Sequence, residues 1–123
     1  MSTLCPSREI HVDKERYRKS AEEVSGLSEL FRVVSDETRT KIVFLLSNAD
    51  LCTCDLAEIL GLTLPTISHH LKLLRSFRLV TSRREGKSVL YSLGDYHVID
   101  LIKIAKEHFD ELVEVESDEE VQN

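Results

Sequence analysis

Apolar residues recur at helical spacing in several stretches of the chain and alternate with polar ones in one other. Leu27, Leu30, Phe31 and Val34 repeat three and four residues apart, as on the inner face of a helix. Ser35-Asp36 then reads as a fresh helix start, and Ile42, Leu45 and Leu46 fall on one stripe behind it. Both stretches are expected to be core helices. Upstream, the charged residues 13–23 are helix-compatible until Gly26 interrupts them. Pro6 discourages helix in residues 1–12, which read as the unstructured part of an N-terminal arm drawn at 1–20.

Residues 51–76 predict two short helices with a tight turn between them. Asp55 and Glu58 suggest a capping box, Leu56, Ala57, Ile59 and Leu60 supply apolar positions, and Gly61 stops the helix. Thr63 is a cap for the next helix and Pro65 fits its first turn, while Ile67, Leu71 and Leu74 mark a buried stripe. Periodicity then switches to alternation. Val80 on one side and Val89, Tyr91 and Leu93 on the other flank the turn segment Arg83-Arg84-Glu85-Gly86-Lys87, a hairpin with a basic tip. Helical spacing returns from Tyr96 to about Val113 through Ile99, Ile102, Ala105 and Phe109. Residues 114–123 are strongly acidic and poor in apolar side chains, and read as a disordered tail.

Helix, glycine turn, helix and basic hairpin together predict a mainly α, α+β fold: a winged helix-turn-helix over residues 21–113. The 123 residues suit one such domain. No run of about 18 apolar residues and no apolar leader are present, so a membrane partner is not expected and the cytoplasm is. Nothing in the chain resembles a nucleophile–base set or a phosphate-cradling glycine loop, so no enzyme is expected.

Charge sharpens this picture. The chain is net −6, yet the sign is unevenly spread. Residues 51–93 hold Lys72, Arg75, Arg78, Arg83, Arg84 and Lys87 against Asp55, Glu58 and Glu85, a net +3, whereas residues 94–123 are net −8. Positive charge is confined to the segment with the helix-turn-helix pattern, as a footprint on double-stranded DNA requires. On a wheel centred on Ile67, Pro65, Ser68, His69, Lys72 and Ser76 face away from the core, with Thr63 and Thr66 near the N-terminal end. Hydroxyls and the His69 imidazole suit base edges, and Lys72, Arg83, Arg84 and Lys87 suit phosphates or the minor groove. His69 and His70 point about 100° apart on a helix and cannot chelate one ion well. His69 is therefore assigned to DNA and His70 to the core edge.

Two residue sets have metal-ligand chemistry. In Asp95-x-His97…His108-x-x-Glu111, the two histidines share a helix face but lie about 16 Å apart along the axis, far beyond the ~2 Å of a zinc–nitrogen bond. One helix cannot close that site. Two copies running antiparallel in a homodimer can, giving two nitrogen and two oxygen ligands suited to Zn(II) or Co(II). The second set is Cys52-Thr53-Cys54 at a helix start, with Cys5 and His11 of the arm as possible further ligands. Three cysteines make no disulfide framework, and thiolates favour soft or borderline ions such as Cd(II), Pb(II), Zn(II) or As(III).

With these residues in place, the chain resembles the ArsR/SmtB family of metal-responsive repressors over about residues 25–112. The matching segments are Ser35-Asp36-Glu37-Thr38-Arg39, Leu51-Cys52-Thr53-Cys54-Asp55-Leu56-Ala57, Ser68-His69-His70-Leu71 and Gly86 through Leu93. The resemblance implies a homodimer joined through terminal helices, operator DNA as partner, and Zn, Cd or Pb as regulatory ligand. It also implies that Asp95, His97, His108 and Glu111 form a C-terminal-helix zinc site, and that Cys52 and Cys54 belong to the thiolate site of cadmium/lead/zinc sensors. Two departures matter. Ala57 stands where arsenic sensors often carry a third cysteine, and only Cys5 stands where cadmium sensors carry two arm cysteines. Rival readings are an arsenite-responsive repressor, a thiol redox switch using Cys52 and Cys54, and a cytosolic metal buffer.

Overall fold

A computed structural model describes the backbone of residues 11–122 and the side chains of residues 11–115. The element order is α1 (Lys14–Glu22), α2 (Leu27–Val34), α3 (Glu37–Leu46), β1 (Leu51–Cys52), α4 (Thr53–Leu60), α5 (Leu64–Ser76), β2 (Val80–Glu85), β3 (Ser88–Leu93) and α6 (Tyr96–Gln122).

Local chemistry accounts for most boundaries. Asp36 caps α3 by accepting from the Arg39 N–H at 3.1 Å, and Thr63 caps α5 by accepting from the Thr66 N–H at 3.3 Å. The α4–α5 turn needs a left-handed residue, and Gly61 supplies it at φ 66°. The cap of α4 differs from expectation. Cys52, not Asp55, is the capping residue: its Sγ accepts from the Asp55 N–H at 3.5 Å while the Asp55 carboxylate accepts from the Cys52 N–H at 3.2 Å. A thiol is a weak acceptor absent from the usual cap preferences, which is why Asp55 looked the better start.

The wing is also reshaped. Arg83, Arg84 and Glu85 belong to β2, paired with Leu90, Val89 and Ser88. The turn itself is only Gly86-Lys87, with Gly86 at φ 61°, as two-residue hairpins favour. A third strand, too short to show in any pattern, completes the sheet in the order β1-β3-β2, with Leu51 opposite Tyr91 and Cys52 opposite Leu90.

The core gathers Val33, Ile42, Val43, Leu46, Leu56, Ile67, Leu71, Leu74, Leu79, Val80, Val98 and Ile99. The α5 stripe is buried as its spacing predicts. That of α2 is only half so: Leu30 and Val34 pack against the core, Leu27 and Phe31 are exposed, and Val33 is the buried residue of that helix. Periodicity shows that a face is apolar without showing what it meets. At the other end α6 runs on through residues 114–122, correcting the disordered tail. Extending an existing helix adds a hydrogen bond per residue without a new nucleus, and glutamate is a good helix former. Helix α1 begins at Lys14 and so crosses the arm boundary placed at residue 20.

Candidate nucleic-acid interface and metal-donor sets

Helix α5 presents a clean division. Ile67, Leu71 and Leu74 are buried, while Thr63, Pro65, Thr66, Ser68, His69, Lys72 and Ser76 are exposed. The hydroxyls of Thr63 and Thr66 lie 2.8 Å apart at the start of the helix. The outer face thus offers donors and acceptors that a rigid inner face holds in register, as base-edge readout needs.

His70 takes the core-edge place expected of it, its side chain 14% exposed. Its Nδ1 lies 3.0 Å from Nη1 of Arg39. Arg39 has no acceptor, so it donates and the ring accepts. The same guanidinium donates through Nε to the Val33 carbonyl at 2.6 Å. Burial and the Arg39 charge hold the His70 pKa below the ordinary histidine value, against the pull of Asp36. The Asp36 carboxyl is itself lowered, chiefly by the Arg39 backbone N–H. Sequence patterns gave Arg39 no role, because its partner is 31 residues away.

On the wing, Arg84 and Lys87 are exposed. Arg83 is exposed as well, and its guanidinium also has partners within the chain. Its Nη1 donates to Asp50 Oδ2 at 2.8 Å and to Ser92 Oγ at 2.9 Å. The Arg83 and Ser92 side chains hold the Asp50 carboxyl below its ordinary range. The guanidinium therefore joins β2 and β3 to the residue preceding β1, and its charge is largely matched within the chain. Neither Asp50 nor Ser92 carried a pattern signal.

The donors of α6 share one side of the helix. At about 100° per residue, His97, Leu101, Ile104, His108, Glu111, Leu112 and Val115 fall within one face, and all seven are exposed. Leu101, Ile104, Leu112 and Val115 are 47%, 65%, 51% and 55% exposed, too much apolar surface on one stripe for an ordinary solvated face. Asp95 precedes the helix, where its Oδ1 accepts from the His97 N–H at 2.8 Å and lies 2.8 Å from His97 Nδ1. The His97 backbone N–H, foremost, holds the Asp95 carboxyl below its usual range. The His97 side chain is 95% exposed, leaving Nε2 to solvent. That donor set suits zinc chemistry: an imidazole and a carboxylate, both zinc-ligand types, lie side by side.

Cys52 is half-buried at the α4 cap and Cys54 is exposed one residue inside the helix. Sulfur ligates a metal ion as the thiolate. His11 is exposed, and Cys5 lies outside the described residues. Among the described residues, no three metal-ligating side chains converge within the single chain, and none of its helices is long and apolar enough to cross a membrane.

A polar-faced helix behind a glycine turn, flanked by a basic hairpin on a shared core, defines a winged helix-turn-helix DNA-binding regulator rather than an enzyme. The comparisons place it more closely. Residues 36–82, from the α3 cap to the first half of β2, match the model of the bacterial regulatory protein, arsR family. The chain is 37% identical over 116 residues to a cadmium resistance transcriptional regulatory protein CadC homolog of Staphylococcus aureus, covering 91% of this chain and 96% of that protein. It is 34% identical over 112 residues to a transcriptional repressor SmtB homolog of Synechocystis, covering 88% and 85%. Among solved structures it resembles the homodimeric winged helix-turn-helix domain of Mb0332 from Mycobacterium bovis, with TM-score 0.67 and 26% identity over 87% of this chain and 94% of that one. The chain belongs to the ArsR/SmtB family of transcriptional repressors.

Proposed function

We propose that the protein is a metal-sensing repressor of the cytoplasm: a homodimer that binds operator DNA without metal and releases it when Zn(II), Cd(II) or Pb(II) binds. The observation that carries this reading is the α6 stripe, where His97, His108 and Glu111 alternate with exposed Leu101, Ile104, Leu112 and Val115. Apolar side chains at that exposure call for a second surface, and donors a helix length apart call for a second chain. One antiparallel α6 pair answers both. Asp95 and His97 of one protomer would then hold a zinc ion together with His108 and Glu111 of its partner. The ion supplies a fixed bond between the chains.

The thiolates of Cys52 and Cys54, with Cys5 and His11 as candidates to complete the sphere, are the softer set and suit Cd(II) or Pb(II). The cadmium-resistance name of the CadC relative supports a metal response of this kind. Thr63, Thr66, Ser68 and His69 would read bases, and Lys72, Arg84 and Lys87 would meet phosphates. Ligation by residues of both chains fixes the spacing of the two reading helices. A pose that mismatches the half-sites makes metal and DNA oppose each other through one reciprocal coupling energy.

Cobalt titration of the full chain tests the reading. Two equivalents per dimer are expected, lost in His97→Ala and in His108→Ala. A heterodimer of those two variants should recover one site, because one of its two interfaces pairs unmutated halves. A heterodimer without a restored site overturns the cross-chain geometry. Equal operator affinity with and without Zn, Cd and Pb overturns the sensor.

A further inference from the structure

The Arg39–His70 contact joins three helices and is used by neither the DNA-facing nor the metal-ligating residues. Arg39 stands in the first turn of α3, donates to the carbonyl of Val33 at the end of α2, and donates to the ring of His70 in the middle of α5. His70 is the neighbour of His69, on the opposite flank of the outer face. The two rings meet edge to face with centroids 5.8 Å apart. We propose that His70 is a positioning residue for operator recognition: as a neutral acceptor for Arg39, it fastens the reading helix to the corner where α2 turns into α3. The proposal rests on α5 being the helix that enters DNA.

The chemistry makes the fastening conditional on the state of the ring. Arg39 can only donate, so the contact exists only while Nδ1 keeps its lone pair. The acceptor form carries its proton on Nε2. The charged and titratable groups that face the ring are Asp36 and Arg39 of α3 and His69 of its own helix; α2 contributes the Val33 carbonyl, which occupies Arg39. A proton on Nδ1 replaces the bond with a cation facing a cation. The ring's remaining attraction is then to Asp36 Oδ2, 3.8 Å away, beside the α3 cap rather than along the Arg39 fork. The seating of α5, and with it the angle at which Thr66, Ser68 and His69 meet a groove, changes with that exchange.

The sign follows from the shift. Burial favours the neutral ring in the folded protein, so the contact is complete above the ordinary histidine range and is lost as pH falls through the lowered folded value. Operator affinity should fall with it. His69, on the exposed face, is the neighbouring imidazole and is left in place. A variant that keeps His69 and changes only His70 separates the two.

The test uses a duplex selected from a random pool by the wild-type full chain. His70→Leu removes the acceptor from a mostly buried place and is expected to bind that duplex roughly tenfold or more weakly at about pH 7.5, the scale of a lost bond to a charged donor. His70→Asn puts an oxygen where Nδ1 stood and is expected to rescue binding. It should also remove the acid-side weakening that the wild type shows between about pH 7.5 and about pH 5.5. Nitrogen NMR of the free wild-type protein should show the Nε2–H tautomer of His70, a readout independent of DNA. If His70→Leu does not fold, the pH profiles of His70→Asn and wild type decide alone. A folded His70→Leu with wild-type affinity, or identical pH profiles for wild type and His70→Asn, overturns the positioning role while leaving α5 as the reader. A wild type that selects no duplex overturns both.

Discussion

The reading head and the terminal helices obey opposite rules in one chain. Between Leu51 and Leu93 the inner faces of α4 and α5 close on the core, with Leu56, Ile67, Leu71 and Leu74 at most 1% exposed while Ile59 and Leu64 stay outside it, and the segment carries the net positive charge. In α1 no residue is buried. Along α2 and α6, Leu27, Phe31, Leu101, Ile104, Phe109 and Leu112 remain 41–65% exposed, on a background that is acidic toward the C-terminus. A groove between α3, α4 and α6, lined by Phe44, Leu45, Ile59, Leu60, Ile102 and Phe109, extends this open apolar surface. The buried core of the head is closed by the chain's own residues. The terminal helices leave an apolar face uncovered, on the end of the chain where acidic rather than basic charge collects.

If that contrast is sound, equal truncations should have unequal consequences. The largest effect belongs to the head. Leu71→Ala removes a side chain that is 1% exposed and should cost about 2–5 kcal/mol in urea unfolding, whatever the protein concentration. Ile104, at 65% exposure, should behave in the reverse manner. Ile104→Glu should leave the monomer's far-ultraviolet spectrum intact and weaken self-association roughly a hundredfold, because the change enters a two-fold interface twice. Sedimentation equilibrium over a concentration series measures it. An Ile104→Glu protein that stays dimeric at low micromolar concentration would remove α6 from the interface, and the shared zinc site with it.

What was legible follows the same division. Ile67, Leu71, Leu74, the Thr63 cap and Gly61 were readable because each is settled within a few residues of its own position. Apolar faces were readable in α2 and, through Ile99, Ile102 and Phe109, in α6, but Leu27 and Phe31 were assigned to a core that they do not enter, and the second α6 face through Leu101, Ile104, Leu112 and Val115 was not read. A period reports that a face must be covered, and the covering surface is not in the same stretch of sequence. The Arg39–His70 and Arg83–Asp50 contacts span 31 and 33 residues, so no local pattern could announce them. Cys52 as a helix cap was missed for a chemical reason, sulfur being a poor acceptor, and the two-residue β1 for a geometric one. The donor residues were all identifiable by type, and no three of those described converge within the single chain.

The thiolate pair offers a sharper version of the contrast, since it lies on the finished head rather than on the open face. Cys54 is exposed and its side chain takes no part in the cap, so Cys54→Ser should leave metal-free operator affinity within about 0.5 kcal/mol of wild type. Release by Cd(II) or Pb(II) should nevertheless be lost, with Cys5→Ser a weaker version and any Zn(II) response retained through α6. Thiolate-to-metal charge-transfer absorbance, followed alongside DNA release, reports ligation separately. A Cys54→Ser protein that responds normally to every soft metal would assign regulation wholly to the terminal helices.

The smallest effect divides the wing itself. Arg83, Arg84 and Lys87 looked equivalent as basic residues of one hairpin, and the structure separates them. Arg83 donates to Asp50 and Ser92, so a carboxylate opposes its charge in the free protein. A cation already matched in this way displaces little of the counterion atmosphere when it approaches phosphate. Arg84→Ala and Lys87→Ala should therefore each flatten the slope of log affinity against log salt by about 1, the loss of one phosphate neutralised. Arg83→Ala should leave the slope close to wild type, and Asp50→Ala should steepen it by freeing Arg83 to contact the backbone. The four slopes can be read from one set of anisotropy titrations at increasing salt. If Arg83→Ala flattens the slope as much as Lys87→Ala does, the ion pair opens on DNA and Arg83 returns to the phosphate-contacting set.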